Sequence, residues 1–188
     1  MSRLLVSLVA LAMCCEVSTG ATSYEAVTFA ELIARADVIF IGEVLDVRPF
    51  PLETRDGQII KTRVVFRVSD PLWGTTSTIE IFEFLGGELN GIEMDVVDMP
   101  KFAVGDRRVV FARRERSINP IVGFAQGLLQ VTRDASGVDR ILTLEGSPLA
   151  TPESIGRASA PGVSLTSVQP MSLSDLRASI RRALEARR

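Results

Sequence analysis

The run Asp37-Val38-Ile39-Phe40-Ile41-Gly42-Glu43-Val44 limits the choice of fold more than any other part of this 188-residue chain. Side chains alternate along a strand, so Val38 and Phe40 point one way while Ile39 and Ile41 point the other. A strand apolar on both faces needs cover on both. Residues 37–48 are therefore read as a central strand. Gly42 has no side chain to pack, the mark of a bulge or bend. A bent strand covered on both sides indicates a small β-barrel.

Other elements are read around that strand. Thr28-Phe29-Ala30-Glu31 forms a capping box, and Phe29, Leu32, Ile33 and Ala36 follow as one apolar stripe, so a short N-terminal helix precedes the strand. Pro49, Phe50 and Pro51 break the strand pattern, and Arg55-Asp56-Gly57-Gln58 reads as a turn. Alternation predicts strands over residues 62–68, 78–84 and 107–113, then a hairpin over 128–133 and 138–144. Gly86-Gly87 ends the third of these. The following stretch, with Glu88, Asn90, Glu93 and Asp95, reads as a solvated loop. Its spacing does not match a calcium-binding loop, so no metal is expected there. Six carboxylates lie between Glu80 and Asp98, and six basic residues between Lys101 and Arg116. The two segments are expected to pair across adjacent strands.

Residues 146–170 are rich in Pro, Gly, Ser, Ala and Thr without periodicity and read as a flexible linker. Ser172-Leu173-Ser174-Asp175 then opens a second helix, with Leu176, Ile180, Ala183 and Leu184 on one face and Arg177, Arg181, Arg182, Arg187 and Arg188 around the rest. It is amphipathic and basic. It either docks on its own domain or lies on a partner or an anionic membrane.

Arg3, the apolar residues 4–15 and the small residues Thr19-Gly20-Ala21 read as a signal peptide over residues 1–21. The expected boundaries are then a β-barrel domain at 22–145, a linker at 146–171 and a terminal helix at 172–188. Localisation is expected to be secreted or periplasmic. Both cysteines, Cys14 and Cys15, leave with that peptide, so the mature chain has no thiol. The chain also has no histidine, which excludes Ser-His-Asp and Cys-His catalysis and histidine metal sites by residue type. No cofactor is expected. A net charge of -2 argues against nucleic acid as a partner. Trp73, the one tryptophan, is either a ligand-stacking platform or a ring capping the end of the core.

Several short motifs occur in a suggestive order. They are Ala36-Asp37 with Gly42-Glu43-Val44, then Thr62-x-Val64-x-Phe66-x-Val68, Leu72-Trp73-Gly74, Gly86-Gly87, Pro100-x-Phe102-x-x-Gly105-Asp106 with Val109 and Phe111, and Gly123-x-x-Gln126-Gly127. Over residues 36–131 this order resembles a group of secreted bacterial proteins of the OB-fold type shared by netrin modules and tissue inhibitors of metalloproteinases. The resemblance implies a mainly β chain: a five- to six-stranded OB-like (Greek-key) barrel with a short N-terminal helix and a C-terminal amphipathic helix. It implies no functional residue, because those inhibitors chelate zinc through an N-terminal cysteine that the mature chain lacks.

The expected function is a secreted, non-enzymatic binding module for a protein or cell-envelope component. Its candidate surface is Trp73, Glu88, Asn90, Glu93, Asp95, Arg181 and Arg182. One alternative is a hydrolase working with paired carboxylates. Another is a membrane-surface protein held peripherally by the basic C-terminal helix.

Overall fold

The computed structural model describes residues 26–115, 117–156 and 168–187; the expected signal peptide, with Cys14 and Cys15, lies outside them. The chain is mainly β. Helix α1 (Phe29–Arg35) leads into strands β1 (Val38–Thr54), β2 (Gly57–Trp73), β3 (Ile79–Leu85), β4 (Gly87–Leu89), β5 (Ile92–Met94), β6 (Arg107–Ala112), β7 (Leu128–Arg133) and β8 (Asp139–Leu142), and α2 (Leu173–Ala186) follows. The capping box forms: Glu31 N donates to Thr28 Oγ1 at 3.2 Å, and Thr28 N donates back to the Glu31 carboxylate at 2.9 Å.

Six strands make one antiparallel sheet in the order β3-β2-β1-β6-β7-β8, and β4-β5 make a separate pair. β6 returns to lie beside β1, the spatial order of a Greek key. The central-strand expectation holds: β1 pairs with β2 on one side and with β6 on the other. Its register shifts between Ile39 and Phe40, between Ile41 and Gly42, and between Val44 and Asp46, so the strand bends repeatedly. A Cβ on Gly42 would sit 2.8 Å from the Arg67 carbonyl oxygen and 3.0 Å from Phe40 Cε2, too close for any larger residue.

The two faces of β1 enter two separate cores. Ile39 and Ile41 join Leu32, Phe111, Ile141, Leu176 and Ile180 in a layer between the sheet and the helices. Val38, Phe40 and Val44 join Val64, Phe66, Phe82, Phe84 and Val110 on the face around which the sheet curls. There Phe40 stacks on Phe82 at 6.3 Å and meets Phe66 edge-on at 5.7 Å.

Several expectations need correction. The sheet is not closed into a barrel, because β3 and β8 end it and among the described residues the one backbone hydrogen bond that joins β3 to the chain opposite is Leu85 N donating to Ile118 O at 2.9 Å. β1 runs straight through Pro49 and Pro51. Gly86 N donates to Ile60 O and Val68 N to Thr78 O, so even-numbered residues of β2 face β3 and odd-numbered ones face β1. Phe50 pairs with Lys61 and Arg48 with Arg63, which leaves Pro49 and Pro51 turned to the open edge, where a missing N–H costs nothing. The acidic segment lies beside β2 rather than β6: Glu83 meets Lys61 and Arg63, and among the described residues only the Glu80–Arg114 and Asp95–Lys101 pairs join it to the basic one.

The expected linker is also partly core. Leu149 and Ile155 are buried in the helical layer, Leu149 N donates to Ile141 O, and Met171 N donates to Leu149 O. Residues 157–167 of that stretch lie outside the described residues. Beyond it α2 docks on the domain, with Leu173, Leu176, Ile180 and Leu184 all buried.

Candidate functional site

The residues read as a solvated loop form a hairpin over a pocket. Gly86 (φ 98°) and Gly87 (φ 130°) adopt left-handed backbone that reverses the chain after β3. A Cβ on Gly86 would lie 2.7 Å from the Met94 carbonyl oxygen, and one on Gly87 would clash with Thr62 Oγ1. Thr62 Oγ1 donates to the Gly86 carbonyl at 2.7 Å and pins the turn to β2. Asn90 (φ 53°) and Gly91 (φ 79°) then close the β4–β5 hairpin as a two-residue turn with both central residues left-handed.

Beneath the hairpin lies a cavity of about 210 Å³. Phe84, Met94, Val96, Met99 and Phe102 supply its apolar lining, with Phe84 and Phe102 rings 4.8 Å apart. Its polar lining includes Glu88, Glu93, Asp95 and Lys101. Glu88 and Glu93 stand directly opposite each other across the two strands, where like charges repel. Among the described residues neither forms an ion pair. Lys101 reaches Asp95 at 3.4 Å, but both side chains are mostly exposed and the pair contributes little. Three carboxylates against one ammonium make this pocket acidic. On the same hairpin and loop, Ile92 and Val97 are 66% and 69% exposed.

The candidate residues fall into two groups. Glu88, Glu93 and Asp95 meet at the pocket, and Asn90 shapes the hairpin without lining it. Trp73 is at the helical layer, partly buried against that core, with the Arg187 guanidinium 5.5 Å from its ring centroid. This is the core-capping position. Arg181 and Arg182 are exposed on α2. Sequence reasoning missed Met94, Val96, Met99 and Phe102 as lining residues; the Asn90-Gly91 pair between short β segments was the signal for the hairpin that covers them.

Displaced titrations lie elsewhere. Hydrogen bonds from Arg107 and then Arg133 hold the Asp139 carboxyl down at about 2. Ser136 and Arg140 side chains and the Val138 amide hold Asp134 well below the usual carboxylate range, and hydrogen bonds from Thr28 lower Glu31. Each of these displacements is downward, whereas a general acid needs an upward one. Their partners are local structure: Glu31 caps α1, Asp139 accepts from Arg107 and Arg133, and Asp134 Oδ1 accepts from Ser136 N and Val138 N, both at 2.9 Å, and closes the β7–β8 hairpin.

No protein-family model matches this chain, and a search of curated proteins gives no significant match.

Proposed function

We propose that this protein is an exported, non-enzymatic binding module on an OB-like sheet, and that its site is the pocket under the β4–β5 hairpin. The partly open Greek-key order and the bend at Gly42 support the OB-like reading. One observation carries the choice of site: an apolar cavity whose charged lining is three carboxylates and a single lysine. Such a pocket accepts an apolar group with a cationic neighbour, as on a basic segment of a protein or envelope component. The membrane reading is left with Arg181 and Arg182, because the apolar stripe of α2 is already spent on the core.

Calorimetric titration with two short capped peptides, Arg-Leu-Arg and Glu-Leu-Glu, tests the proposal. The basic peptide should bind saturably, Glu93→Lys should weaken it about tenfold, and the acidic peptide should not bind. Equal binding of both peptides, or none at millimolar concentration, would contradict it.

A further inference from the structure

Along three stretches of the sheet's edge the described residues leave different cover, and the chain deals with two of them. Along the outer half of β1, Pro49 and Pro51 occupy outward-facing positions and remove two donors that a foreign strand would need. Along β8, the chain's own later segments lie on the edge: Leu149 N donates to Ile141 O, Ile141 N to Met171 O and Thr143 N to Ser147 O. Neither stretch presents an unbroken row of free donors to another strand.

The third stretch is β3. Thr78 and Gly86 both bond toward β2, so by alternation Ile79, Ile81, Glu83 and Leu85 turn their N–H and C=O groups outward. Ser77 Oγ occupies both backbone groups of Ile79. Leu85 N is taken by Ile118 O. Between these two caps, the backbone groups of Ile81 and Glu83 have no hydrogen-bond partner among the described residues. They open beside a groove of about 480 Å³ lined by Ile81, Glu83, Arg113, Arg114, Leu52 and Lys61 among others. Ile81 is 54% exposed on its floor.

From this we infer a second binding site, distinct from the pocket: the Ile81–Glu83 edge accepts an extended peptide segment of a partner protein as an added antiparallel strand. Two residues of β3, two apart, expose both donor and acceptor at the spacing of an extended backbone, which is what strand addition uses for affinity. Side-chain preference follows from the walls. Ile81 and Leu52 favour an apolar or β-branched residue on the incoming strand. Among the described residues that line the groove, the cations Lys61, Arg113 and Arg114 outnumber the carboxylates Glu83 and Glu115, so an acidic neighbour is preferred. The ligand is an extended, acidic, β-branched peptide, opposite in charge to that expected in the pocket.

Amide exchange on the intact chain, read residue by residue with a capped Glu-Val-Thr-Val-Glu peptide, tests this. The peptide should slow exchange at Ile81 and Glu83. The same peptide N-methylated at alternate residues should bind at least tenfold more weakly, since it keeps every side chain but loses the donors. Ile81→Pro, which removes an outward N–H as Pro49 and Pro51 do, should abolish protection; if that variant does not fold, the exposed Arg113→Glu should weaken binding instead. Binding indifferent to N-methylation, or protection confined to residues 86–102, would overturn the strand-addition site. Protection at Ile81 and Glu83 that rises with protein concentration alone would show a second copy there and overturn the peptide as occupant.

Discussion

The two faces of the sheet are covered by different means, and that difference separates structure from binding. On one face, α1, α2 and the segment around Leu149 and Ile155 seal the core with long-range apolar packing, and Trp73 closes its margin under Arg187. On the other, the curled sheet supplies a phenylalanine cluster, and past its edge the cover is only a three-residue-per-strand hairpin and an irregular loop. A helix with four buried side chains fills its space. A short hairpin held by two glycines leaves a cavity.

The largest expected effect comes from removing the seal. Ending the chain at residue 145 deletes Leu149, Ile155, Leu173, Leu176, Ile180 and Leu184 from the helical layer. At about 1.5–3 kcal/mol per buried side chain, the loss is comparable to the whole net stability of a domain. Circular dichroism of the truncated chain should show an unfolded protein; a cooperative melt near that of the full chain would break the distinction between the faces. Within the seal, Ile180→Ala should cost about 2–5 kcal/mol in denaturant unfolding, whereas Ile92→Ala on the exposed hairpin should cost less than about 0.5 kcal/mol.

Gly42→Val probes the strand shared by both faces. Its new side chain would meet the Arg67 carbonyl and the Phe40 ring, and overpacking of this kind costs about 1–3 kcal/mol. An unchanged denaturation midpoint would mean that the bulge yields freely.

A smaller effect is expected at Asp139, whose carboxylate receives two hydrogen bonds from Arg107, at 2.9 and 2.7 Å. Its folded pKa, about 2, lies below the ordinary value. The stability it contributes is therefore present above about pH 4 and is lost as pH falls toward 2. Asp139→Asn should lower stability at neutral pH by about 1–2 kcal/mol and flatten the decline between pH 4 and 2, as read by urea titrations across that range.

What was legible in the sequence was local and periodic. The doubly apolar run at Val38, Phe40, Ile39 and Ile41 was assigned to two faces, and each pair enters its own core. The Thr28 and Ser172 caps were readable from residue type and spacing. What escaped depends on distant partners. Leu149 and Ile155 are isolated apolar residues in a Pro- and Gly-rich stretch, and it is the hydrogen bonds of Leu149 to β8 and from Met171 that hold this segment on the core. Pro49 and Pro51 looked like strand breakers because the side on which β1 is unpaired is set by the ladder with β2. The pocket carboxylates Glu88, Glu93 and Asp95 stood out as charge, but the lining from Met99 and Phe102 comes from an aperiodic segment. Closure of the barrel was inferred from the bend at Gly42, and a bend curls a sheet without obliging its edges to meet.

Native-state hydrogen exchange on the intact chain tests the contrast between the faces most directly. Amides of α2 from Leu176 to Leu184 should exchange only through global unfolding, while those of the β4–β5 hairpin and the loop to Phe102 should open locally at much lower free energy. Adding the basic Arg-Leu-Arg peptide should raise protection at the hairpin and leave α2 unchanged. Local opening of α2 at the same free energy as the hairpin, or peptide-induced protection in α2 rather than at the pocket, would contradict the division into a sealed face and a binding face.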